Sequence, residues 1–376
     1  MAKRIIIGID TRDLQIAKTG TRTYLEELCA QFKINDSRFQ FYFLDTSIPV
    51  YTGKNKILKL VEQLRFIFWK QISLPLKAVY HRCDIVFCTD YFVPFLHLGF
   101  ITIPVFHDAF FWEYPGHYNK YWLILFKSLG LGAAKRSPFI ITPSLYTRKR
   151  INFFSGIPIE KIVSIYEAPK SLPAKPVWAG QTSILDLYPV LSQPFLLHVG
   201  TLEKRKNLPV LIKAFAQLTN TDYPSFKLVL IGQASPKKDM DDSVIIAELI
   251  KQNRLEDRVI LTGYLNEEVL RIFYQKAYMY VFPSINEGFG IPILEAFENN
   301  LPIIISNNSC LPEIAKDAAL TFNPFSMDDL FNAMKKVIDD PELRKNMIEK
   351  GNARASSFSW KKTTEEIKSI FIQSIK

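Results

Sequence analysis

The chain has 376 residues, of which 48% are hydrophobic, and a formal net charge of +10 at pH 7. This length favours two domains, and the hydrophobic content is enough for a packed core in each, which excludes a disordered chain. Four cysteines without CxxC spacing and five scattered histidines argue against a disulfide framework and a zinc site, and the apolar runs are too short for a membrane span.

Short apolar runs in the first half of the chain predict the strands of a parallel sheet. Several of these runs end in small or polar residues, as parallel strands do. The first run begins so close to the N-terminus that it leaves no room for a signal peptide, and we therefore expect a cytoplasmic protein. The predicted strands are residues 5–9, 41–44, 85–88, 103–106 and 139–142.

A glycine-containing turn follows the first strand and opens a helix. Gly20 lets the backbone come close to a phosphate or a sugar, and the N-terminus of the helix supplies N–H donors there. Thr21 and Arg22 follow in the same turn, and Arg22 is a candidate to face an acceptor. The turn is not a GxGxxG fingerprint, which argues against a nicotinamide cofactor. A simple strand-to-helix turn is the alternative interpretation.

A basic segment rich in apolar residues lies between residues 54 and 77. The first half carries all of the excess charge, because residues 1–185 contain 24 Lys and Arg against 13 Asp and Glu. Such a segment can lie on an anionic membrane surface. The alternative, favoured by the number of apolar positions, is a helix packed on its own domain with its lysines in water. Nucleic acid is not an expected partner, because no recognition motif accompanies the charge. The cations are Lys54, Lys56, Lys59, Arg65, Lys70 and Lys77.

His107 and Asp108 stand at the end of the fourth predicted strand. Ligands of parallel sheets bind beyond the carboxyl ends of the strands, so His107 lies where a cleft is expected. A neutral imidazole there can form a hydrogen bond with a sugar hydroxyl or with charge that develops near the anomeric carbon. A structural histidine is the alternative.

The second half repeats the alternation of strands and helices, which predicts a second doubly wound parallel sheet. The ligand site is then expected in a cleft between the two domains. The proline-bearing stretch 168–189 is the predicted linker. The predicted strands are residues 195–199, 227–231, 259–262, 278–282 and 303–306, and the clearest helices are residues 208–218 and 328–338.

Arg205 and Lys206 come just before a predicted helix, in a loop that begins with Gly200 at the end of a strand. Their cations and the N–H groups of the helix N-terminus can meet a diphosphate, Arg205 as a fork and Lys206 as a point charge. Taken alone, a basic pair before a helix more often consists of solvent-exposed side chains that bind no ligand.

Two carboxylates eight residues apart flank a Gly-x-Gly turn in the stretch from Asn286 to Phe297. Gly288 and Gly290 allow a tight turn near a ligand, and the helix predicted from Ile291 would point N–H groups at an anion. Glu287 could accept hydrogen bonds from hydroxyls on one side of a diphosphate, and Glu295 from hydroxyls on the other. Sugar and ribose are the natural candidates.

The whole stretch resembles the signature of the retaining nucleotide-sugar glycosyltransferases of the GT-B group, family 4-like or group 1. This large family includes many mannosyl- and glucosyltransferases of polysaccharide assembly. The resemblance covers nearly all of the second half, because other segments match at the spacing of the family. These segments are residues 261–265, 282–284, 301–304, 311–314 and 358–360.

The resemblance implies an α/β chain of the GT-B fold, with two Rossmann-like doubly wound parallel-sheet domains facing across a cleft. The expected domains are an acceptor-side domain, residues 1–180, and a nucleotide-sugar-binding domain, residues 181–357. The last helix, residues 358–376, is expected to pack back on the first domain, as it does in the family.

The resemblance also implies roles for individual residues. Lys206 and a nearby arginine would bind the donor diphosphate, and many relatives carry that arginine directly after the glycine, where this chain has Thr201. We therefore expect Arg205 to take part of that contact. His107 and Glu287 complete the expected catalytic set. The other expected donor-binding residues are Gly20, Thr21, Asp108, Thr201, Tyr264, Leu265, Glu267, Gly288, Phe289, Gly290, Ile291 and Glu295.

The expected reaction is the transfer of a hexose from a nucleoside diphosphate sugar to a saccharide acceptor, with retention of the anomeric configuration. His107 would line the donor sugar pocket, Glu287 would position the 3- and 4-hydroxyls of the hexose, and Glu295 would hold the ribose. No Asp-x-Asp motif occurs in a matching context, so neither a metal nor another cofactor is expected. Front-face attack is favoured, because no carboxylate is convincingly placed as a nucleophile.

The donor and the acceptor are less well defined by the sequence. Backbone near Tyr264 and Leu265 is expected to contact the base, and Glu267 could pair with a guanine edge, which favours GDP-mannose. A lipid-linked saccharide acceptor at the inner face of a membrane would use the positive charge of the first half. The alternatives are a UDP-sugar-dependent glucosyl- or N-acetylglucosaminyltransferase, a non-catalytic nucleotide-sugar-binding subunit and a nucleotide-sugar 2-epimerase.

Overall fold

The computed structural model describes residues 4–17, 20–53, 55–96, 98–170, 183–221 and 223–375. The chain divides into two compact units, an N-terminal unit of Met1–Ala168 with Ser359–Lys376, and a C-terminal unit of Pro169–Phe358. The predicted domain boundary at residue 180 and much of the predicted linker lie outside the described residues, as does Lys54 of the basic segment.

The N-terminal unit is built on parallel strands that are mostly buried. Four of them form a sheet in the order β2-β1-β3-β4, and β5 pairs with β6. A bridge between Val105 and Ile141 joins the end of β4 to β5. The strand order reverses between β1 and β3, because β2 lies on one side of β1 and all later strands lie on the other. The strands are β1 (Ile5–Asp10), β2 (Phe39–Leu44), β3 (Ile85–Cys88), β4 (Ile101–Pro104), β5 (Ile140–Thr142) and β6 (Ile162–Ser164).

Strand β4 ends two residues before the predicted end at Phe106, so this prediction is wrong at both ends of the strand. Pro104, which has no N–H to donate, is the last residue of β4 that pairs with β3 in the strand register. Val105 donates once more to the carbonyl of Cys88 in β3, and Phe106 then donates to the carbonyl of Ile141 in β5, 2.8 Å away. Strand β6 was not predicted, because its three residues are too short a run to stand out.

Helices surround this sheet and complete its core. Leu74, Val86, Phe106 and Ile140 are among the fully buried residues of one cluster. Trp69–Ser73, a π turn, joins α2 to α3. The helices of this part of the chain are α1 (Gly20–Phe32), α2 (Lys56–Phe68), α3 (Leu74–Tyr80), α4 (Phe110–Glu113), α5 (Lys120–Leu125), α6 (Leu131–Ala134) and α7 (Leu145–Ser155).

The continuous helix formed by α2, the π turn and α3 presents an apolar stripe to the outside. None of the described side chains of α2 is buried, and Ile57 is 73% exposed. The exposed apolar residues recur every three or four positions, so they share one helix face. We call this face the outer stripe; its residues are Ile57, Val61, Leu64, Phe68, Ile72, Leu76 and Val79.

The cations of this segment are distributed differently from either interpretation of the sequence. Lys70 is 2% exposed and lies between Asp10 and Asp90. Arg65 pairs with a carboxylate one turn earlier in α2, and Lys77 donates to a backbone carbonyl. The expectation of a helix packed on its own domain with its lysines in water holds for Lys56 and Lys59 but not for Lys70. Carboxylates after the ends of β1 and β3 bind Lys70 inside the unit, where Trp69, Leu74 and Ala78 of the same continuous helix enter the core, and the outer stripe lies on its exposed face.

The C-terminal unit contains one six-stranded parallel sheet in the order β12-β11-β10-β7-β8-β9. Its order reverses between β7 and β10, which are neighbours in the sheet although β8 and β9 lie between them in the chain. Strand β12 was not predicted, because its alternation of apolar residues is weak. The strands are β7 (Phe195–Val199), β8 (Lys227–Ile231), β9 (Val259–Gly263), β10 (Met279–Phe282), β11 (Ile303–Ser306) and β12 (Ala319–Phe322).

The helices of the C-terminal unit pack on a core of fully buried aliphatic and aromatic side chains. In this core, α9 packs on β8 and its neighbours, and its members include Leu211 and Phe215 of α9 and Leu230 of β8. The prediction of an α/β chain with two doubly wound parallel sheets is confirmed. The helices are α8 (Ile184–Leu187), α9 (Leu208–Thr221), α10 (Ser243–Gln252), α11 (Glu267–Lys276), α12 (Ile291–Glu298), α13 (Leu311–Ala315), α14 (Met327–Asp339) and α15 (Pro341–Ala355).

The last helix, α16 (Trp360–Ile375), belongs to the N-terminal unit. The Phe371 ring lies 5.5 Å from the Phe87 ring of β3, and Trp360 packs edge-on against Tyr24 of α1. Burial of these large side chains ties the end of the chain to a sheet formed far earlier in the sequence. Among the described helices, we find no segment with the length and hydropathy that a bilayer span requires.

Candidate functional site

The loops after β7 and β10 meet where the strand order of the C-terminal sheet reverses, the usual ligand site of such sheets. A third loop, after β8, packs closely against the first. Gly232 has φ +152°, and a Cβ built on it would lie 1.8 Å from the carbonyl oxygen of Gly200. Only glycine permits this approach of two backbones, so the loop after β7 packs directly on the loop after β8.

Arg205 and Lys206 share one 3-10 turn, Lys204–Lys206, directly before α9. Asn207 ends the turn with φ +55°, a left-handed conformation that asparagine tolerates. The N–H of Ile285, in the loop after β10, donates to the carbonyl of Arg205 at 2.7 Å. The backbone therefore ties the two loops together at the position of the cations.

Glu287 forms ion pairs with both cations. Its Oε1 lies 2.6 Å from Lys206 Nζ, and its Oε2 lies 2.7 Å from Arg205 Nη1. Glu203 lies on the other side of Arg205, with its Oε2 3.0 Å from Arg205 Nε. The structure thus brings together three of the four residues predicted to be catalytic, in one buried ion-pair cluster.

The cluster fixes the charge of each member. Burial alone would raise the pKa of Glu287, but Arg205 and Lys206 outweigh it and lower the pKa from 4.5 to about 2. Burial lowers the pKa of Lys206, although Glu287 opposes this shift. Glu287 is therefore a carboxylate at any physiological pH and can only accept hydrogen bonds, whereas burial works against the charged form of Lys206 and the Glu287 carboxylate favours it.

Side chains from the next part of the sheet hold the loop that carries Glu287. Cys310 Sγ lies 3.1 Å from the carbonyl oxygens of both Glu287 and Phe289, and burial raises the pKa of this thiol, which keeps its proton as a donor. Asn308 Nδ2 donates to the carbonyl of Ile285 at 2.6 Å. The sequence assigned no role to Cys310 or Asn308, because nothing in their local pattern indicates contact with a loop some 20 residues earlier.

The Gly-x-Gly turn leads directly into α12. Gly290 has φ +100°, and its missing Cβ leaves room for the side chains of Leu311 and Ile293. Ile291 then begins the helix as predicted, with Pro292 in the first turn where no N–H is needed. The N-terminus of α12 therefore opens beside the loop that carries Glu287, and Gly288 and Phe289 form the rest of this turn.

Glu295 lies half-buried one turn into α12 and is oriented by a tyrosine. Tyr274 Oη donates to Glu295 Oε2 at 2.9 Å. Burial raises the pKa of Glu295, and the tyrosine contact opposes this shift. Glu295 is held separately from the ion-pair cluster, so the two carboxylates of the motif have different surroundings.

His198 is buried on β7 beside this cluster, although the sequence gave it no role. Val281 O lies 3.0 Å from its Nδ1 and can only accept, so Nδ1 carries the proton and Nε2 is left as an acceptor. Burial lowers the pKa of His198 to about 3. A Cβ on Gly200 would lie 3.3 Å from His198 Nε2, which places this acceptor at the loop after β7.

The residues predicted to contact the base lie after β9. Tyr264 is 73% exposed, whereas Leu265 is buried. Glu267 is in the first turn of α11 and pairs with Lys170. Thr201 precedes the bridge that Leu202 forms with the loop after β8. The structure thus leaves Tyr264 and Glu267 at the surface of the C-terminal unit.

The remaining predicted residues belong to the N-terminal unit. His107 Nε2 lies 3.0 Å from the carbonyl of Thr89, and its Nδ1 lies 3.4 Å from a carboxylate oxygen of Glu167. Burial would lower the pKa of His107, but Glu167 and the Thr89 carbonyl raise it above 6.5. Both ring nitrogens therefore face acceptor oxygens, and these contacts favour the imidazolium form of His107. Glu167 was missed because it lies far from His107 in sequence.

A tyrosine holds the Asp108 carboxylate, and the described part of the glycine turn is the start of α1. Tyr91 Oη donates to Asp108 Oδ1 at 2.7 Å, and the N–H of Phe110 donates to the same carboxylate. Gly20 is the first residue of α1, and Thr21 follows it, half-buried. Among the described residues, no group of three or more His, Cys, Asp or Glu side chains is arranged to hold a metal ion.

Comparison with known proteins agrees with the fold described above. Residues 189–354 match the family model of the glycosyl transferases group 1. The chain is 30% identical over 270 residues to the O-antigen chain mannosyltransferase B of Escherichia coli, which covers 70% of this chain and 68% of the relative.

Two further relatives share only part of their length with the chain. A serotype-specific mannosyltransferase, WbdA of Escherichia coli, is 30% identical over 48% of this chain and 22% of the relative. An N-acetylgalactosaminyltransferase of Campylobacter jejuni, whose name gives a diphospho-undecaprenol-linked saccharide as its substrate, is 30% identical over 48% of this chain and 46% of its own.

Solved structures resemble the chain over nearly its whole length. A sucrose-phosphate synthase of Thermosynechococcus elongatus superposes with a TM-score of 0.72 at 18% identity, covering 98% of this chain and 99% of that one. The HepE protein of Anabaena, in complex with UDP and glucose, also gives 0.72 at 16% identity and covers 98% and 100%. At this identity the likeness concerns the fold, which is GT-B.

Proposed function

The chain belongs to the glycosyl transferases group 1, and on this premise we propose that it is a retaining mannosyltransferase that uses GDP-mannose. The acceptor we propose is a lipid-linked saccharide in cell-surface polysaccharide biosynthesis at the cytoplasmic face of a membrane. One observation carries the proposal: Arg205 and Lys206 share a single carboxylate, Glu287, where the strand order of the C-terminal sheet reverses.

The ion-pair cluster suits a diphosphate that arrives with a sugar attached. A diphosphate offers Arg205 and Lys206 more negative charge than one carboxylate does, and so it can replace Glu287 as their partner. Glu287 then has two free oxygens that accept hydrogen bonds from the 3- and 4-hydroxyls of the hexose. Because burial destabilises the charged form of Lys206, its cation gains most when the leaving diphosphate acquires charge.

Retention follows, in this proposal, from attack on the face that the diphosphate leaves. Glu287 is engaged by two cations and serves as a positioning group rather than a nucleophile. The acceptor hydroxyl would pass its proton to the departing phosphate oxygen, while Lys206, Arg205 and N–H groups at the start of α12 hold the phosphate charge. These groups can stabilise the leaving group without a metal, and we propose that the reaction is metal-independent.

Two observations support GDP-mannose as the donor. The relatives from Escherichia coli are named as mannosyltransferases. Glu267 lies at the N-terminus of α11 beside Tyr264 and Leu265, and a carboxylate there can accept from the N1–H and N2–H of guanine. Lys170 would have to release Glu267 when guanine binds. Glu295, oriented by Tyr274, would accept from the ribose hydroxyls.

The outer stripe of α2 and α3 supports a membrane-bound acceptor. Seven apolar side chains on one helix face are suited to the boundary between headgroups and acyl chains. Residues 1–185 carry 24 Lys and Arg against 13 Asp and Glu, a charge that complements an anionic bilayer. The Campylobacter relative, named for an undecaprenol-linked substrate, agrees with such an acceptor.

Donor specificity is tested by incubating the full chain with GDP-mannose, UDP-glucose and UDP-N-acetylglucosamine and measuring released nucleotide. We expect GDP release from GDP-mannose with EDTA present, and little UDP from the others. Preferential UDP release would refute the donor assignment, and a dependence on added Mn²⁺ or Mg²⁺ would refute metal independence. The anomeric configuration of transferred mannose, read by NMR, tests retention.

Membrane binding is tested with vesicles of phosphatidylcholine alone or mixed with phosphatidylglycerol. We expect binding to the mixed vesicles and at least a tenfold loss in Leu64→Asp/Phe68→Asp, because each buried apolar side chain contributes about 1.5–3 kcal/mol. Val244→Asp is the matched control, since Val244 is equally exposed but lies on α10 of the other unit. Equal losses in both variants would argue against membrane binding through the outer stripe.

A further inference from the structure

His198 lies on β7 beside the ion-pair cluster and has one ring nitrogen that no described residue engages. The side chain is fully buried, and its Nε2 forms no hydrogen bond within the part of the chain that the structure describes. A buried polar atom without a partner lowers the stability of the fold. Its presence at this site therefore points to a partner that reaches Nε2 in another state of the site.

The neighbouring strand β10 fixes the orientation of this ring. Val281 O lies 3.0 Å from Nδ1 and can only accept, so Nδ1 carries the proton and Nε2 is an acceptor. The rings of Tyr280 and Phe282, on either side of Val281 in the chain, have centroids 6.2 Å and 6.0 Å from that of the imidazole. The strand therefore holds His198 in one orientation and one tautomer.

Nε2 faces the end of the Lys206 side chain across the space beside a glycine. A Cβ built on Gly200 would lie 3.3 Å from His198 Nε2, 3.3 Å from Lys206 Cε and 3.6 Å from Lys206 Nζ. The acceptor and the ammonium group thus border the same small space. Burial and, to a smaller extent, the charge of Lys206 lower the pKa of His198 to about 3, so the ring is neutral at physiological pH and Nε2 keeps its lone pair.

The Lys206 ammonium group has three N–H donors, and Glu287 is its ion-pair partner. Its Nζ lies 2.6 Å from Glu287 Oε1 and 5.0 Å from the centroid of the Phe282 ring, which also packs beside His198. In the proposed reaction, the diphosphate takes the place of Glu287 as the partner of Lys206. A second carboxylate at this position would compete with the diphosphate for the cation, whereas a neutral imidazole accepts a hydrogen bond without cancelling the charge.

We propose that His198 is a positioning residue of the transfer reaction: its Nε2 accepts a hydrogen bond from Lys206 when a diphosphate has displaced Glu287, and this bond directs the ammonium group at the leaving phosphate. His198 acts through Lys206 and does not itself contact the substrate. The hydrogen bond stabilises the charged form of a lysine that burial otherwise disfavours. This role rests on the proposed function, in which the diphosphate is the leaving group.

The groups around Lys206 make its own titration the one that an alkaline pH series reports. Burial would raise the pKa of Glu287, but Arg205 and Lys206 lower it to about 2, and the guanidinium of Arg205 keeps its charge. The imidazole is already neutral in this range. A hydrogen-bond acceptor near Lys206 favours its charged form, so the loss of that acceptor moves its deprotonation to lower pH. The charged and titratable groups that face Lys206 are Glu287, Arg205, Glu203 and His198.

The test compares two substitutions of similar length, His198→Gln and His198→Met, in the full chain. Both remove the Nδ1–H contact with Val281, but only glutamine keeps an acceptor oxygen near the position of Nε2. GDP, UDP and inorganic diphosphate are the probes, and calorimetry measures their affinity at neutral and alkaline pH. We expect His198→Met to bind them about tenfold more weakly than His198→Gln. The midpoint of its alkaline loss of affinity should lie about one pH unit lower.

Coupling to Lys206 separates positioning from an effect on the fold. When each His198 substitution is combined with Lys206→Met, the two double variants should differ in affinity by less than about twofold, because the hydrogen bond has lost its donor. A difference that persists without Lys206 would overturn the positioning role. Thermal melting of each variant excludes unfolding as the cause of a loss.

The outcomes distinguish this role from the function on which it rests. Equal affinities and equal alkaline midpoints in His198→Gln and His198→Met would overturn the role of His198, even where the wild type releases GDP from GDP-mannose. Preferential binding of UDP would refute the donor assignment alone, since the comparison of the two variants stays valid with UDP or inorganic diphosphate. If the wild type bound none of the three probes, the diphosphate assignment and the role of His198 would both be wrong.

Discussion

The two sheets each reverse their strand order once, and buried ion pairs occupy both reversal points with opposite balance. In the C-terminal unit, one carboxylate, Glu287, faces two cations. In the N-terminal unit, one cation, Lys70, faces two carboxylates. The topology is the same at both points, but the ratio of charges is opposite. An anion can compete with Glu287 for the two cations of the first point, whereas Lys70 at the second point is already shared by two carboxylates.

The contrast between the two reversal points is first tested by removing the central cation of the N-terminal unit. Lys70→Met leaves Asp10 and Asp90 buried without a counter-charge, and we expect a loss of about 3–5 kcal/mol in the free energy of unfolding. Urea unfolding measures this loss. Lys70→Met/Asp90→Asn should recover part of it, because one unpaired acid is removed. A loss below about 1 kcal/mol would mean that Lys70 is not the counter-ion that holds this network together.

The cation of the C-terminal unit should matter more for turnover than for stability. Lys206→Met leaves Glu287 paired with Arg205, so the fold retains its ion pair, but the diphosphate loses a charged contact worth about 2 kcal/mol. We expect more than a tenfold loss of turnover and weaker binding of GDP, measured by calorimetry. Lys204→Met, in the same turn, is the control. Unchanged kinetics in Lys206→Met would refute the diphosphate assignment.

The shared carboxylate provides a sharper test, because it should separate turnover from nucleotide binding. Glu287→Gln removes the acceptor that positions the hexose while leaving both cations in place, and we expect turnover to fall about tenfold, equivalent to ~1.4 kcal/mol. Binding of GDP should not weaken, since the cations lose a competing anion. If turnover stays within a few-fold of wild type, Glu287 does not position the sugar.

The smallest expected effect is an opposite response of the two sites to acid. The pKa of His198 is lowered to about 3 in the fold, so between pH 6.5 and 3 only the unfolded chain binds this proton, and acid destabilises the fold. The pKa of Asp90 is raised from 3.8 to about 7, so between about pH 7 and pH 3.8 mainly the folded chain binds this proton, and acid stabilises the fold.

Urea unfolding at pH 7 and pH 5 measures both contributions by difference from wild type. His198→Gln should lose less stability on acidification than wild type, and Asp90→Asn should lose more. Each difference is at most about 1.4 kcal/mol per pH unit, the value for one proton. Shifts of the same sign in the two variants would contradict the comparison.

Much of the fold was predictable because the strands are buried on both faces and read as short apolar runs. Strands β3, β7, β8 and β11 coincide with the runs in the sequence, since turn residues bound each of them. The boundary of β4 was not predictable, because the chain passes from one neighbouring strand to the next at Pro104 without any change in hydrophobicity. Short strands such as β6 also gave no signal.

The sites were predictable where their residues are close in sequence. Arg205, Lys206 and Glu287 were found from motifs, and the structure brings them together at one reversal point. The partners of these residues were missed when they come from distant segments, as Cys310 does for the Glu287 loop. The pairing of Lys70 with Asp10 and Asp90 was missed for the same reason, because 60 and 20 residues separate Lys70 from these two carboxylates.

The basic segment, residues 54–77, shows most clearly what the sequence determined and what only the tertiary structure decided. The sequence by itself determined the period of its apolar residues, the excess of positive charge in the first half and the glycosyltransferase motifs of the second, because these depend on composition and local spacing. Only the tertiary structure decided which side of the helix faces inward. Carboxylates after the ends of β1 and β3 bind Lys70 inside the unit, beside the buried Trp69 and Leu74, and the outer stripe is the face that these long-range contacts leave exposed.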